Sequence, residues 1–330
     1  MKSIRRDAAV FGGALLLLFL SLFLSMRFGS TYLTSAEFFG AIFRPSDFKS
    51  ASVIVRAIRL PRMLAGAFAG AGLALSGTLL QRATDNPLAA PNIIGINAGA
   101  GFFVMLSLAL FPSAFALLPF AAFGGAMLCA LGILALSRKV GFDKSGVVLC
   151  GVAFSALFGA GISFFSVLDD DLLASYTGFS IGGLQGVTLR ELYFPIPIIL
   201  ACLLCALLLS RKLELFCLGD HLAHSLGISV KRVRLLSLVL AAASAAAAVS
   251  FAGLLGFVGL LVPHIARKLT RGNARREILL SPIGGAILLL LADLLGRVLL
   301  SPAEIPVGIF TALLGVPFFL SLLLRRKRHA

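Results

Sequence analysis

GDHLAHSLGISVKRVR (219–234) is the most extended polar interruption in the C-terminal two thirds of this sequence. Long apolar blocks lie on both sides of it. Arg211 and Lys212 precede it, and Lys231, Arg232 and Arg234 close it. A chain that only had to turn between two apolar helices would need a few residues. This segment spends far more, and its composition is rich in small residues and compatible with helix. It is either a handle for another protein or a long solvated loop, and the basic residues at both edges place it on the cytoplasmic side.

Working outward, hydrophobic residues make up 59% of the 330 positions, and the mean hydropathy is +1.03. A soluble domain with a polar surface cannot carry that composition, so most of the outer surface must face lipid. The net charge of +15 sits in short clusters between apolar blocks, where Lys and Arg act as topology signals and give no indication of nucleic-acid binding. The five cysteines (Cys129, Cys150, Cys202, Cys205 and Cys217) fall in or beside apolar blocks, which argues against a disulfide framework. Cys202 and Cys205 form a CxxC inside an apolar helix, where a thiolate is poorly solvated and packing is the expected role. Cys217, His221 and His224 lack a fourth ligand for zinc, so no metal or cofactor is expected in the chain.

Each helical span needs about 20 apolar residues. Lys2, Arg5 and Arg6 precede the first, 8–26, which reads as an uncleaved span with the N-terminus in the cytoplasm. Span two, 63–80, returns to Arg82 and the loop TDNPLAAPN, whose prolines stop the helix. Between Arg82 and the cluster of Arg138, Lys139 and Lys144, the apolar stretch is interrupted near Pro112 and crosses twice. Parity repeats for spans five (147–168) and six (192–210), with Asp169, Asp170 and Asp171 and the connector SIGGLQG outside. The stretch 235–269 also has basic flanks and must cross an even number of times, yet 35 residues cannot supply two full spans and a turn. One member must be short or broken, and the glycines of FAGLLGFVG (251–259) and Pro263 are the expected place. Irregular backbone at that depth has to be buried in protein or line a cavity. Spans nine (282–300) and ten (305–324) close the chain. The expectation is therefore an all-α, polytopic membrane protein with about ten helices, a single transmembrane domain over 1–330, and both termini inside.

The spans hold few ionisable groups. Asp293 is the one carboxylate expected well inside a span, and Arg297, one turn on, can pair with it near the outer end. That is thin support for an ion-coupled carrier, which places ionisable groups or broken-helix ion sites at the midplane. No HExxH motif supports an intramembrane enzyme, and no GxxxxGK[ST] loop is present, so energy from a nucleotide must come from a separate subunit. The outside segment 27–62 breaks the charge rule, with Arg27, Arg44, Lys49, Arg56, Arg59 and Arg62. Arg59 and Arg62 bracket a proline in RLPR, and Arg297 is expected near the same surface. As an exposed cluster they suit carboxylates of a docking protein, or else they snorkel to the headgroups of membrane lipid.

Four blocks carry a resemblance: RLPRMLAGAFAGAGLALSGTLLQRATDNPLAAPNIIGINAGA (59–100), GDHLAHSLGISVKRVR (219–234), FAGLLGFVGLLVPHIAR (251–267) and EIPVGIFTALLGVPFFLSLLL (304–324). In order and spacing, from residue 59 to the end, they resemble the signature blocks of FecCD-type permeases. These are the membrane subunits of bacterial ABC importers for ferric siderophores, haem and cobalamin. The resemblance implies a multi-pass permease of the bacterial inner membrane, pairing with a second permease subunit of the same or a related chain. It further implies two ATPase subunits, which carry the ATP and Mg, and an extracytoplasmic substrate-binding protein. On this pattern, 219–231 is the ATPase-coupling segment. Gly219, Ala223, Leu226 and Gly227 fit GxxxAxxLG, with Asp220 and Lys231 in the same segment. Arg59, Arg62 and Arg297 match the positions that meet acidic residues of the binding protein. Asp143, Lys144 and Ser145 correspond to the cytoplasmic gate region, where this sequence departs from the family's residues. A ferric siderophore is the expected cargo because it is the commonest in the family, with haem and cobalamin behind it.

Overall fold

The computed structural model describes residues 2–92, 95–140, 144–216, 222 and 225–327. Secondary structure among them is entirely helical. In chain order the helices are α1 (Lys2–Arg27), α2 (Ser35–Phe43), α3 (Lys49–Val53), α4 (Leu60–Thr84), α5 (Ile96–Leu110), α6 (Leu118–Val140) and α7 (Lys144–Leu168). They continue as α8 (Asp170–Ile181), α9 (Leu189–Leu192), α10 (Pro195–Leu215), α11 (Val230–Ala252), α12 (Val258–Leu269), α13 (Ala274–Val298) and α14 (Val307–Lys327). A π-helical turn, Ile54–Arg59, joins α3 to α4. Every expected span has its helix. Among the described residues, seven helical stretches are long and apolar enough to cross a membrane, and Ile96–Leu110 and Val307–Leu322 are shorter apolar helices.

Small residues decide which helices sit at the centre. The most apolar windows of α4 and α11 are 72% buried, against 11% for α1 and 6% for α7. In lipid there is no hydrophobic gain from hiding one apolar helix behind another, so close packing of backbones has to hold the centre together. The alanine run of α11 lies buried from Ala241 to Ala252, partly against α4, and Ser244 Oγ donates to Gly72 O at 2.9 Å. At Gly70 and Gly285 the backbones of α4 and α13 touch, and a Cβ on either glycine would meet the other's carbonyl. A Cβ on Gly77 would likewise meet the carbonyl of Gly259 in α12, and one on Gly259 would meet Leu73 O of α4. We expect Gly70→Val to lower the melting temperature of the detergent-solubilised protein, by about 1–3 kcal/mol of overpacking. Gly124→Val, where a Cβ meets nothing within 4 Å, is expected to leave it unchanged.

The parity argument for 235–269 meets a broken helix. α11 ends at Ala252, residues 253–257 are not helical, and α12 is only 12 residues long, about 18 Å at the helical rise. Gly253, at φ 71 and ψ −164, ends α11, and Phe257, left-handed at φ 64, stands just before α12. The exposed backbone of the break is satisfied by protein: Leu254 N donates to Phe179 O at 3.0 Å and Gly183 N to Ala252 O at 3.0 Å. Pro263 is not part of the irregularity. It is buried inside α12 at the sixth position, where its missing N–H leaves Gly259 O without a helical donor, and Gln81 Nε2 donates to that oxygen at 3.4 Å. The outer segments hold more structure than hydropathy foretold. α2 begins with a capping box between Thr34 and Glu37, and Asp169 caps α8 by accepting from Asp171 N and Leu172 N.

Candidate functional site

Two sets of charged side chains occupy opposite ends of the bundle. At the end expected to face outward, Arg62 stands in the first turn of α4, just after Pro61. Its Nε donates to Asp293 Oδ1 at 3.0 Å and its Nη2 to the same oxygen at 2.9 Å. Nη1 donates to Glu304 Oε2 at 2.7 Å. Arg297, one turn beyond Asp293 on α13, brings Nε to 3.0 Å from Asp293 Oδ2, the local pair the spacing foretold. Its other nitrogens donate to Ser25 Oγ at 2.9 Å and to Phe28 O at 3.2 Å. Arg59 donates to Met26 O at 2.9 Å, Arg27 O at 2.7 Å and Thr31 O at 2.6 Å. α1 ends here, and its last carbonyls have no helical donors, so a cation both satisfies them and complements the helix dipole.

This geometry corrects one expectation. Arg59, Arg62 and Arg297 are brought together, yet they are 3%, 7% and 2% exposed. Their guanidinium groups face neither lipid headgroups nor solvent as a free cluster. The physical reason is desolvation: three cations held this close would be prohibitive without Asp293 and Glu304 and the carbonyls at the end of α1. Glu304, which the sequence reading did not single out, lies in the loop before α14. Burial pushes its carboxyl up, but hydrogen bonds from Arg62 and Ser30 and the charges of Arg62 and Arg297 outweigh this and hold it below its ordinary value. Two cavities flank the pair. One of about 290 Å³ is lined by Arg62, Glu304, Gln185, Gly183 and the backbone at Gly253, and one of about 90 Å³ by Arg59, Arg62, Arg297, Glu304 and Gly29.

At the opposite end, the one expected to be cytoplasmic, Arg82 in the last turn of α4 donates through Nη2 to Glu277 Oε2 of α13 and to Gly272 O at 2.6 Å in the turn between α12 and α13. Glu277 is fully buried, and Arg267 Nε lies 3.6 Å from its Oε2. Arg234, in the second turn of α11, donates from Nε to Ala83 O at 2.9 Å, and its guanidinium lies 5.8 Å from the Phe216 ring centre. The helix that follows the expected coupling segment is thus tied to the end of α4, and α4 to α12 and α13. Sequence reading missed this linkage. The basic residues were visible, but their partners are backbone carbonyls or a carboxylate far along the chain.

Within the expected coupling segment, Gly219, Asp220 and Ala223 lie outside the described residues, as do Cys217, His221 and His224. Leu226, Gly227 and Lys231 are described. Leu226 N donates to Leu222 O at 3.1 Å, which puts Leu222 and Leu226 on one helical turn. These two leucines are 58% and 60% exposed. Gly227 has φ 80 and ends the turn, and Lys231 is exposed in the first turn of α11. In the expected gate region Lys144 and Ser145 open α7, while Asp143 lies outside the described residues. Among the described residues no cluster of His, Cys, Asp or Glu could hold a metal ion. His264 packs edge-on against Phe318 at 5.6 Å.

An all-helical bundle with several apolar spans, a broken central helix pair and charged groups confined to its two ends defines a multi-pass membrane protein. The chain belongs to the FecCD transport family, whose model matches residues 16–325. It is 40% identical to the Fe(3+)-citrate import system permease protein YfmE of Bacillus subtilis over 272 residues, 82% of this chain and 81% of the relative. It is 38% identical to the hemin transport system permease protein HmuU of Yersinia pestis, over 82% of this chain and 83% of the relative. A solved structure of a metal-chelate type ABC transporter in an inward-facing conformation superposes with a TM-score of 0.85 at 30% identity, covering 96% of this chain and 99% of that one.

Proposed function

We propose that this chain is the permease subunit of an ATP-driven importer that carries a ferric chelate, a siderophore in the first instance, across a bacterial cytoplasmic membrane. The observation that carries this reading is the family match over nearly the whole chain, with a ferric citrate permease among its relatives. In this reading a second permease copy covers part of the apolar outer surface, for which α7 is a candidate: Leu157, Phe164 and Val167 are 66%, 61% and 86% exposed. Two ATPase subunits engage the coupling segment from the cytoplasm. A binding protein delivers the chelate at the outer end, where Arg59, Arg62 and Arg297 cluster.

The mechanism follows from the linkages. Closure of the ATPase pair displaces the 219–231 segment and with it the start of α11. Arg234 passes the displacement to the end of α4 through Ala83 O, and the Arg82–Glu277 pair passes it on to α12 and α13. The glycine contacts of α4 with α12 and α13 lack interlocking side chains, so the helices can rock about them. Uptake into proteoliposomes that hold permease, ATPase and binding protein tests the substrate. Iron-55 as a ferric siderophore is expected to accumulate with ATP and to be unaffected by a protonophore. Accumulation of haem or cobalamin in its place would reassign the cargo, and collapse of uptake by the protonophore would favour an ion-coupled carrier.

A further inference from the structure

Burial of the arginine cluster raises a physical difficulty for docking, because an arriving protein cannot bind guanidinium groups that have no free face. Arg297 has its nitrogens on Asp293, Ser25 and Phe28. Arg59 is turned onto three carbonyls around the end of α1. Arg62 differs from both because its fork is divided. Asp293 takes Nε and Nη2, and it is itself 3% exposed and clamped from the other side by Arg297. Glu304 takes Nη1 alone. Its side chain is 14% exposed, it sits in a non-helical loop, and it lines both outer cavities.

We propose that Glu304 is a resident stand-in, and that a carboxylate side chain of the docking binding protein replaces it on Arg62 Nη1. The proposal rests on the reading above that such a protein docks at the outer end. The chemistry favours exchange over addition. Removing one partner from a buried ion pair leaves a charge uncompensated and is strongly unfavourable, whereas exchanging one carboxylate for another leaves the local charge unchanged. The larger cavity, lined by Arg62 and Glu304 and not by Asp293, supplies the room for an incoming carboxylate. Glu304 also has a place in the backbone network. The residues after Glu304 are bonded inward, Ile305 N to Gly296 O at 3.0 Å and Gly308 N to Gly182 O at 3.2 Å, and Gly183 N is bonded to Ala252 O at the helix break. Glu304 thus stands at one end of a series of backbone hydrogen bonds that reaches the broken pair α11 and α12, and exchange gives up its bond from Ser30 as well as that from Arg62.

The test uses the whole importer in nanodiscs with its own binding protein, immobilised so that docking affinity is read directly. With Glu304→Gln the incoming carboxylate meets no competitor and no displaced charge, so docking is expected to tighten about tenfold. Arg62→Lys keeps the cation but loses the divided fork, so it is expected to weaken docking and to erase the gain when combined with Glu304→Gln. Size-exclusion profiles confirm that each variant is folded. Unchanged or weaker docking in Glu304→Gln, with Arg62→Lys still weakening it, overturns the stand-in while leaving the docking reading intact. Docking indifferent to both substitutions removes the docking reading at Arg62 altogether.

Discussion

Arg62→Glu is expected to abolish folded protein in the membrane, a larger effect than loss of docking alone. The substitution puts a third carboxylate beside Asp293 and Glu304 and removes the cation that pairs with both. Asp293 is 3% exposed, so water cannot stand in for the lost partner. Breaking a buried pair in this way costs about 3–5 kcal/mol, a large share of the 5–15 kcal/mol by which a domain is typically stable. Fluorescence-detected size exclusion of a tagged variant should show aggregated or degraded chain in place of a monodisperse peak. The double substitution Arg62→Met with Glu304→Gln, which removes one charge of each sign and leaves Asp293 paired with Arg297, is expected to recover a substantial part of the peak. If Arg62→Glu gives a normal peak and melting temperature, the cluster is not structural. The same burial rules out charge reversal of Arg59 and Arg62 as a clean probe of docking.

Why the cluster was read as exposed is clear from where its partners lie. Asp293 and Glu304 are 231 and 242 positions from Arg62, and a sequence carries no mark of such pairings. Arg59 is bound by main-chain carbonyls, which have no signature at all. Asp293 and Arg297 were legible as a pair because they are one turn apart on one helix. The same contrast runs through the fold. Spans follow from apolar length, and the broken pair 235–269 followed from counting, since basic flanks fixed an even number of crossings in too few residues. Hydropathy says nothing of α2 or α8, which lie among outside segments. Their signal is cap chemistry: Thr34 and Glu37 for one and Asp169 for the other. The contacts of Gly70 and Gly77 sit between these cases. Small residues promised close packing, but only the structure shows that they meet Gly285 and Gly259.

At the cytoplasmic end, the double substitution Leu222→Asp with Leu226→Asp is expected to abolish transport while leaving the permease folded. Both leucines are more than half exposed on one helical turn, so aspartate costs this chain little stability. Within a cleft of a partner the same change would bury two charges in place of two apolar side chains, each worth about 1.5–3 kcal/mol when fully buried. Even half of that loss at both positions, with the desolvation of the new carboxylates added, weakens association by more than a hundredfold. The ATPase should fail to co-purify, while the melting temperature of the isolated permease moves by less than the Gly70→Val substitution moves it. Arg234→Gln separates attachment from transmission. It leaves both leucines in place but removes the cationic donor to Ala83 O, so the ATPase should still co-purify while transport per ATP hydrolysed falls. If the leucine variant retains its ATPase and transports normally, the exposed turn is only a solvated loop. If it loses the ATPase while Arg234→Gln transports at full efficiency, the turn is the handle but motion reaches α4 by another route.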